Sequence, residues 1–245
     1  MIPLMNTIPS RHLAVMTYAL IAINCAVFLF QNNLSPRELE QFVYTFGLIP
    51  ARYFAPLPFG ETDLTVFQYL PFITMSFLHS GWMHLIFNMW SLYLFGRTVE
   101  DRLGSGRYLA FYLACGVLAG VTHAVFNPTS TVPALGASGA IAGVMGCFIR
   151  LFPWARIIVL VPVIFVPFFF ELSAMIFIGL WFAVQVLQGV TELFTTTSGA
   201  GVAWWAHIGG FVGGVAFGSL LTPPQQRGRT YYADTGVLGF NRFGF

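Results

Sequence analysis

The chain has 245 residues, of which 57% are hydrophobic and only 8% charged, with a formal net charge of +2. A water-facing domain carries about 25% charged residues, so this composition excludes a soluble globular protein. It fits helices buried in lipid and against one another, and the small positive charge leaves no footprint for nucleic acid.

In chain order, six apolar segments can be drawn, at about 12–31, 82–97, 107–126, 138–152, 170–190 and 202–222. The first is too long for a signal-peptide core and lacks a small-residue cleavage site, so it reads as a retained spanning helix. A long loop, about 32–81, follows. It holds "RELEQF", "APLPFG" and the aromatic-rich "FQYLPFITMSFLHSGW". That last stretch is expected to lie in or on the outer leaflet. The run 156–169 carries Pro162 and Pro167 and reads as a broken, interfacial or re-entrant connection. A seventh span there is the alternative topology. Cys25, Cys115 and Cys147 lie in apolar runs with no pairing motif and are expected to be buried thiols.

The expected fold class is therefore an all-α polytopic membrane protein with six transmembrane helices and a long, partly membrane-embedded first loop. Residues 1–11 form a short cytoplasmic N-terminus, 12–222 the six-helix domain, and 223–245 a cytoplasmic tail of low order. All eleven basic residues are arginine. In the six-span arrangement nine of them share one side, and only Arg37 and Arg52 fall on the other. Positive charge stays on the cytoplasmic side, so both termini are expected there, in the cell membrane.

Ionisable and polar groups inside a span are costly and tend to face the interior. His84, Asn88, Ser138 and His207 are such groups. Taken singly, each is ordinary packing or interhelical glue. Their depths are less ordinary. At 1.5 Å per residue, Ser138 stands about 22 Å above the Pro153 end of its helix. His207 stands about 24 Å above Pro223, and His84 about 20 Å above Arg97. Asn88, at about 14 Å, is a turn deeper. His84 and Asn88 share a helix face at i, i+4. Gly139, Gly143 and Gly146 follow Ser138, and Gly210, Gly214 and Gly218 follow His207. Small-residue faces let two membrane helices approach closely, which would bring Ser138 and His207 together.

A serine hydroxyl becomes a nucleophile when a base takes its proton, and acyl transfer needs donors for the oxyanion. Ser138, His207, His84, Asn88 and the Ser138 N–H at a helix start supply that set. Glu171 and Glu192 lie at helix ends, so no acid is placed beside His207. The residues point to a Ser–His dyad. "GASGA" is not the GxSxG elbow of soluble hydrolases, because residue 140 is Ala.

These motifs resemble the rhomboid intramembrane serine proteases. "HSGWMHLIFNMWSLYLFGRTVEDRLGSGRY" is similar to the family's histidine–asparagine array, "GASGAIAGVMG" to its nucleophile motif and "AHIGGFVGG" to its last-helix motif. The resemblance covers about 12–222. It implies Ser138 as nucleophile, His207 as base, and His84, Asn88 and the Ser138 N–H as the oxyanion site. Gly136 would line the approach to the nucleophile. His79, off the His84 face, would order the first loop, and Glu100 and Arg102 would form a structural cluster at the cytoplasmic end of the second helix. It implies membrane-anchored protein substrates cut near the outer face, with no metal and no cofactor. Two departures stand out. Ala142 replaces an aromatic that stacks on the base in some members, leaving Trp204 and Trp205 as candidate supports for His207. The first loop also lacks a Trp–Arg pair. His123 is left unassigned. An inactive membrane-protein-binding adaptor and a transporter are the rival readings. The adaptor usually lacks Ser or His, and the transporter usually shows acids or inverted repeats. The fifth segment, with Trp181 and Phe182, lacks a glycine stripe and is the expected side for substrate entry.

Overall fold

Outside 156–169 the long apolar runs form helices, the structure in which a single segment satisfies its own backbone in lipid. The computed structural model describes residues 2–54, 65–163, 166–194, 202–222, 229–232 and 237–240. Strand β1 is Ile2–Asn6, and helix α1 is Val15–Asn32. The first loop holds α2 (Pro36–Phe46), α3 (Ala51–Phe54), α4 (Pro71–Thr74) and two 3-10 turns, Val66–Tyr69 and Met75–Phe77. Its "PLPFG" stretch lies outside the described residues. Helix α5 (Trp82–Ser91) runs through a π segment, Leu92–Gly96, into α6 (Arg97–Leu103). Helices α7 (Ser105–Phe126) and α8 (Ser138–Leu151) follow. Strands β2 (Arg156–Val163) and β3 (Val166–Ser173) lead to α9 (Ala174–Phe194) and α10 (Trp204–Leu221). In the tail, β4 (Arg229–Tyr232) and β5 (Val237–Phe240) pair antiparallel. The rest of 223–245 lies outside the described residues.

The chain is mostly helical. Among the described residues, three helices are long and apolar enough to cross a membrane: α1, α7 and α9. The all-α expectation needs one correction, because β1, β2 and β3 form a small antiparallel sheet. The run 156–169 is thus mostly a hairpin rather than a broken or re-entrant connection. It is rich in β-branched residues and its burial alternates, with Ile157 and Val159 buried and Ile158 and Leu160 less so. Pro162 and Pro167 sit opposite each other near the hairpin end, where few ladder donors are lost. The N-terminal residues are tied down as well. Trp90 Nε1 donates to Pro3 O (2.6 Å) and Asn6 Nδ2 to Leu94 O (2.6 Å).

At the start of α1 the N–H groups of Met16 and Thr17 donate to the Glu100 carboxylate at 2.8 and 2.7 Å. The Thr17 and Ser105 hydroxyls donate to it too, at 2.7 and 2.6 Å. A buried carboxylate is tolerable only with such donors, and here it satisfies orphan N–H groups of a helix start.

The centre of the fold is α8, packed between α7 and α10. Helices α8 and α10 run parallel, with Gly139 against Gly210, Gly143 against Gly214 and Cys147 against Gly218. A Cβ on Gly214 would overlap the Gly143 carbonyl and lie 2.6 Å from its Cα. A Cβ on Gly143 would lie 2.5 Å from Cys115 Cβ on α7. By contrast, a Cβ on Gly179 of α9 meets nothing within 4 Å. Gly214→Ala should therefore cost about 3 kcal/mol or more, since rigid backbone cannot yield. Gly179→Ala should be neutral or stabilising by up to ~1 kcal/mol. Unfolding curves of both variants in the same detergent check this; equal stabilities would refute the backbone-contact account.

Candidate active site

Ser138 opens α8 and His207 lies in the first turn of α10. The parallel glycine register sets the two side chains face to face, and Ser138 Oγ lies 2.8 Å from His207 Nε2. Both are at the same end of the bundle, as the depth estimates required. His207 is buried.

The approach to Ser138 is extended and held by the first loop. Leu48 and Ala134 exchange backbone bonds of 2.9 and 2.8 Å, and Gly136 N donates to Met75 O at 2.8 Å. Gly136 has φ +126°, a conformation that L side chains rarely adopt. A Cβ there would also lie 2.7 Å from both Cε1 and Nε2 of His84. So Gly136 lets the chain pass directly beside the His84 ring.

His84 leans on Ser80, whose Oγ is 3.0 Å from Nδ1. Asn88, one turn deeper on α5, is buried, and its amide nitrogen has no hydrogen-bond partner among the described residues. His79 is buried, with its ring edge-on to His84 at 5.0 Å between centroids. It therefore touches His84, against the expectation that it stands off that face. Its backbone is clamped by Gln31 of α1: His79 N donates to Oε1 at 3.1 Å, and Nε2 donates to His79 O at 3.3 Å. Glu100 sits in the α1 clamp described above. Arg102 is half-buried and forms no ion pair with any described residue. His123 is buried near the end of α7, with Asn127 Nδ2 3.3 Å from its Nδ1.

Of the two tryptophans expected to support His207, Trp204 lies against the ring and Trp205 does not. Trp205 stacks on Phe126, 3.7 Å between centroids, and is engaged away from the imidazole. Trp204 is edge-on to His207 at 6.3 Å and Trp181 of α9 tilted at 5.9 Å. The polar contact is Gln185 of α9, whose Oε1 lies 2.8 Å from His207 Nδ1. The sequence held one signal for it, an amide inside the apolar run "FIGLWFAVQVLQGV", but neither which of Gln185 and Gln188 matters nor which helix it faces. Among the described residues no group of His, Cys, Asp and Glu could hold a metal ion.

A Rhomboid domain model matches residues 66–224, so the chain belongs to the rhomboid family. It is 28% identical over 225 residues to "Rhomboid protein 1, mitochondrial" of Saccharomyces cerevisiae, covering 87% of this chain and 55% of that protein. It is 43% identical over 77 residues to "Rhomboid protease GluP" of Bacillus subtilis, covering 31% of this chain and 15% of that one. With "Presenilin-associated rhomboid-like protein A, mitochondrial" of Danio rerio it shares 34% identity over 116 residues, 46% of this chain and 29% of the relative. The chain thus spans about half or less of the length of these relatives.

Two outcomes follow from this geometry. Gly136→Ala should displace the His84 ring and strain the backbone, lowering any turnover at Ser138 by at least about 10²-fold, as losing an oxyanion donor does. A serine-directed fluorophosphonate probe measures it, and wild-type labelling rates would refute it. His79 lies outside the spanning segments, and burial, reinforced by neighbouring His84, pushes its imidazole down to about 4 from an ordinary 6.5. A depressed folded value means that the unfolded chain takes up the proton first. His79 should thus cost nothing above pH 6.5 and remove about 3 kcal/mol as pH falls to 4. Denaturant unfolding of wild type and His79→Phe across that range should diverge in that direction; parallel curves would exclude it.

Proposed function

We propose that this chain is an intramembrane serine endopeptidase of the Ser–His dyad type. The observation that carries the reading is the 2.8 Å contact between Ser138 Oγ and His207 Nε2. Ser138 attacks the scissile carbonyl, and His207 takes its proton and later gives it to the leaving amine. The oxyanion forms beside the Ser138 N–H, which has no acceptor within its helix, and within reach of His84 and Asn88. Two features favour these donors. Ser80 N–H points at His84 Nδ1, at 3.5 Å, which leaves Nε2–H as the donor on the Gly136 side. The unpaired Asn88 amide costs about 1–3 kcal/mol in a buried place, a cost that an oxyanion would offset.

In the same reading, 12–222 form the protease domain with six spans: α1, the α5–α6 run, α7, α8, α9 and α10. Residues 1–11 and the tail 223–245 lie on the cytoplasmic side of a cell membrane, as the arginine asymmetry favours. The substrates are membrane-anchored proteins, entering from the bilayer and cut near the outer face. Two of the matched relatives are mitochondrial by name, and fractionation of tagged protein decides between the two membranes.

The test is reconstitution with a panel of single-span substrates. Ser138→Ala and His207→Ala should each abolish cleavage, and the double variant should be no worse than either, because the pair acts as a unit. Asn88→Ala should cost about 10²–10³ in kcat, less than loss of the nucleophile, because other donors remain. Substantial turnover by folded Ser138→Ala would sink the dyad.

A further inference from the structure

We propose that Gln185 is a positioning residue that fixes which nitrogen of His207 carries the proton. The inference rests on the dyad reading for its consequence, but its geometry stands apart from it. Gln185 is buried on α9, and its Nε2 donates to the Trp181 carbonyl, one turn earlier on the same helix, at 3.0 Å. A backbone carbonyl only accepts. The amide NH2 group must therefore face Trp181 O, and Oε1 must be the atom 2.8 Å from His207 Nδ1. An amide oxygen also only accepts, so Nδ1 must carry the hydrogen. In a neutral imidazole that leaves Nε2 bare, and Nε2 is the nitrogen 2.8 Å from Ser138 Oγ. Four groups in a row, Trp181 O, Gln185, His207 and Ser138, then have one consistent direction of donation. It ends with the serine proton directed at the free lone pair of Nε2.

Without Gln185 the opposite tautomer competes. An Nε2–H would donate to Ser138 Oγ and could not take its proton. After transfer, the Nδ1–H of the imidazolium still has Oε1 to bond. Gln185 thus does the orienting that an acid does in a three-residue site, and it does so without charge. A carboxylate in this buried place would need donors of its own, and the partners of His207 on α9 are the Trp181 ring and the Gln185 amide. Trp181 contributes its ring as a wall beside the imidazole, 5.9 Å between centroids. The orientation of the base therefore comes from α9, although its position comes from α10.

The test is 15N NMR of histidine-labelled full-length protein in detergent, with the His207 signal assigned by its loss in His207→Ala. Wild type should show His207 as the Nδ1–H tautomer. Gln185→Leu, which keeps the bulk and removes the acceptor, should show a mixture with Nε2–H. Its kcat should fall about 10²-fold, within the contribution of a general base, with KM within about twofold. Gln185→Glu offers an acceptor oxygen in either protonation state and should retain the Nδ1–H form. A wild-type Nε2–H tautomer, or an unchanged tautomer in Gln185→Leu, would overturn the proposal. So would Gln185→Glu in the Nε2–H form. If wild type cleaves substrates and the tautomer ignores Gln185, the positioning role fails alone. If the tautomer responds and no substrate is cut, the protease reading fails and the positioning stands.

Discussion

Everything at the site depends on how close two backbones can come. Helices α8 and α10 meet where Gly139, Gly143, Gly210 and Gly214 leave no side chains between them. In lipid there is little hydrophobic force between helices, so dispersion across such a close seam is what holds them. The seam is also a ruler. Its partners repeat at four-residue steps in parallel register, so one geometry fixes both the separation and the rotation of the two helices. A methyl group at Gly214 would widen the seam and carry Ser138 away from His207 without touching either residue.

The polar groups follow from the same solvent. Each one buried in the bundle is costly unless the protein bonds it. Gln31 clamps the His79 backbone, Glu100 collects four donors, and Gln185 bridges Trp181 and His207. The Asn88 amide nitrogen is a buried donor with no partner among the described residues, as are Trp205 Nε1 and the ring nitrogens of His79, and Asn24 Oδ1 is a buried acceptor without one.

The helical segments were legible because apolar length and glycine spacing are local properties. That Ser138 and His207 could meet was legible because depth can be counted from a helix end. Gln185 was not, since an amide in an apolar helix that also carries Gln188 can face any neighbour, and only the packing of α9 on α10 aims it at His207. The sheet was missed for a different reason. Pro162 and Pro167 read as helix breakers, which is correct, but their placement opposite each other is a pairing property that appears only once β2 and β3 are in register. Strand β1 is likewise invisible without its partner, because "IPLMN" has no strand pattern of its own.

The clamp at the start of α1 bears on the order in which the chain assembles. The carboxylate that caps Met16 and Thr17 belongs to a residue 84 and 83 positions later. At a synthesis rate of 5–20 residues per second, that partner is made roughly 4–17 s after the helix it completes. Until then the first helix has bare N–H groups at one end, and when Glu100 arrives it is itself a charge in need of donors. Neither end is finished alone. The first helix therefore has to wait in the membrane as an open half of a joint, and the α5–α6 run closes it, which makes that closure a natural checkpoint between insertion and folding.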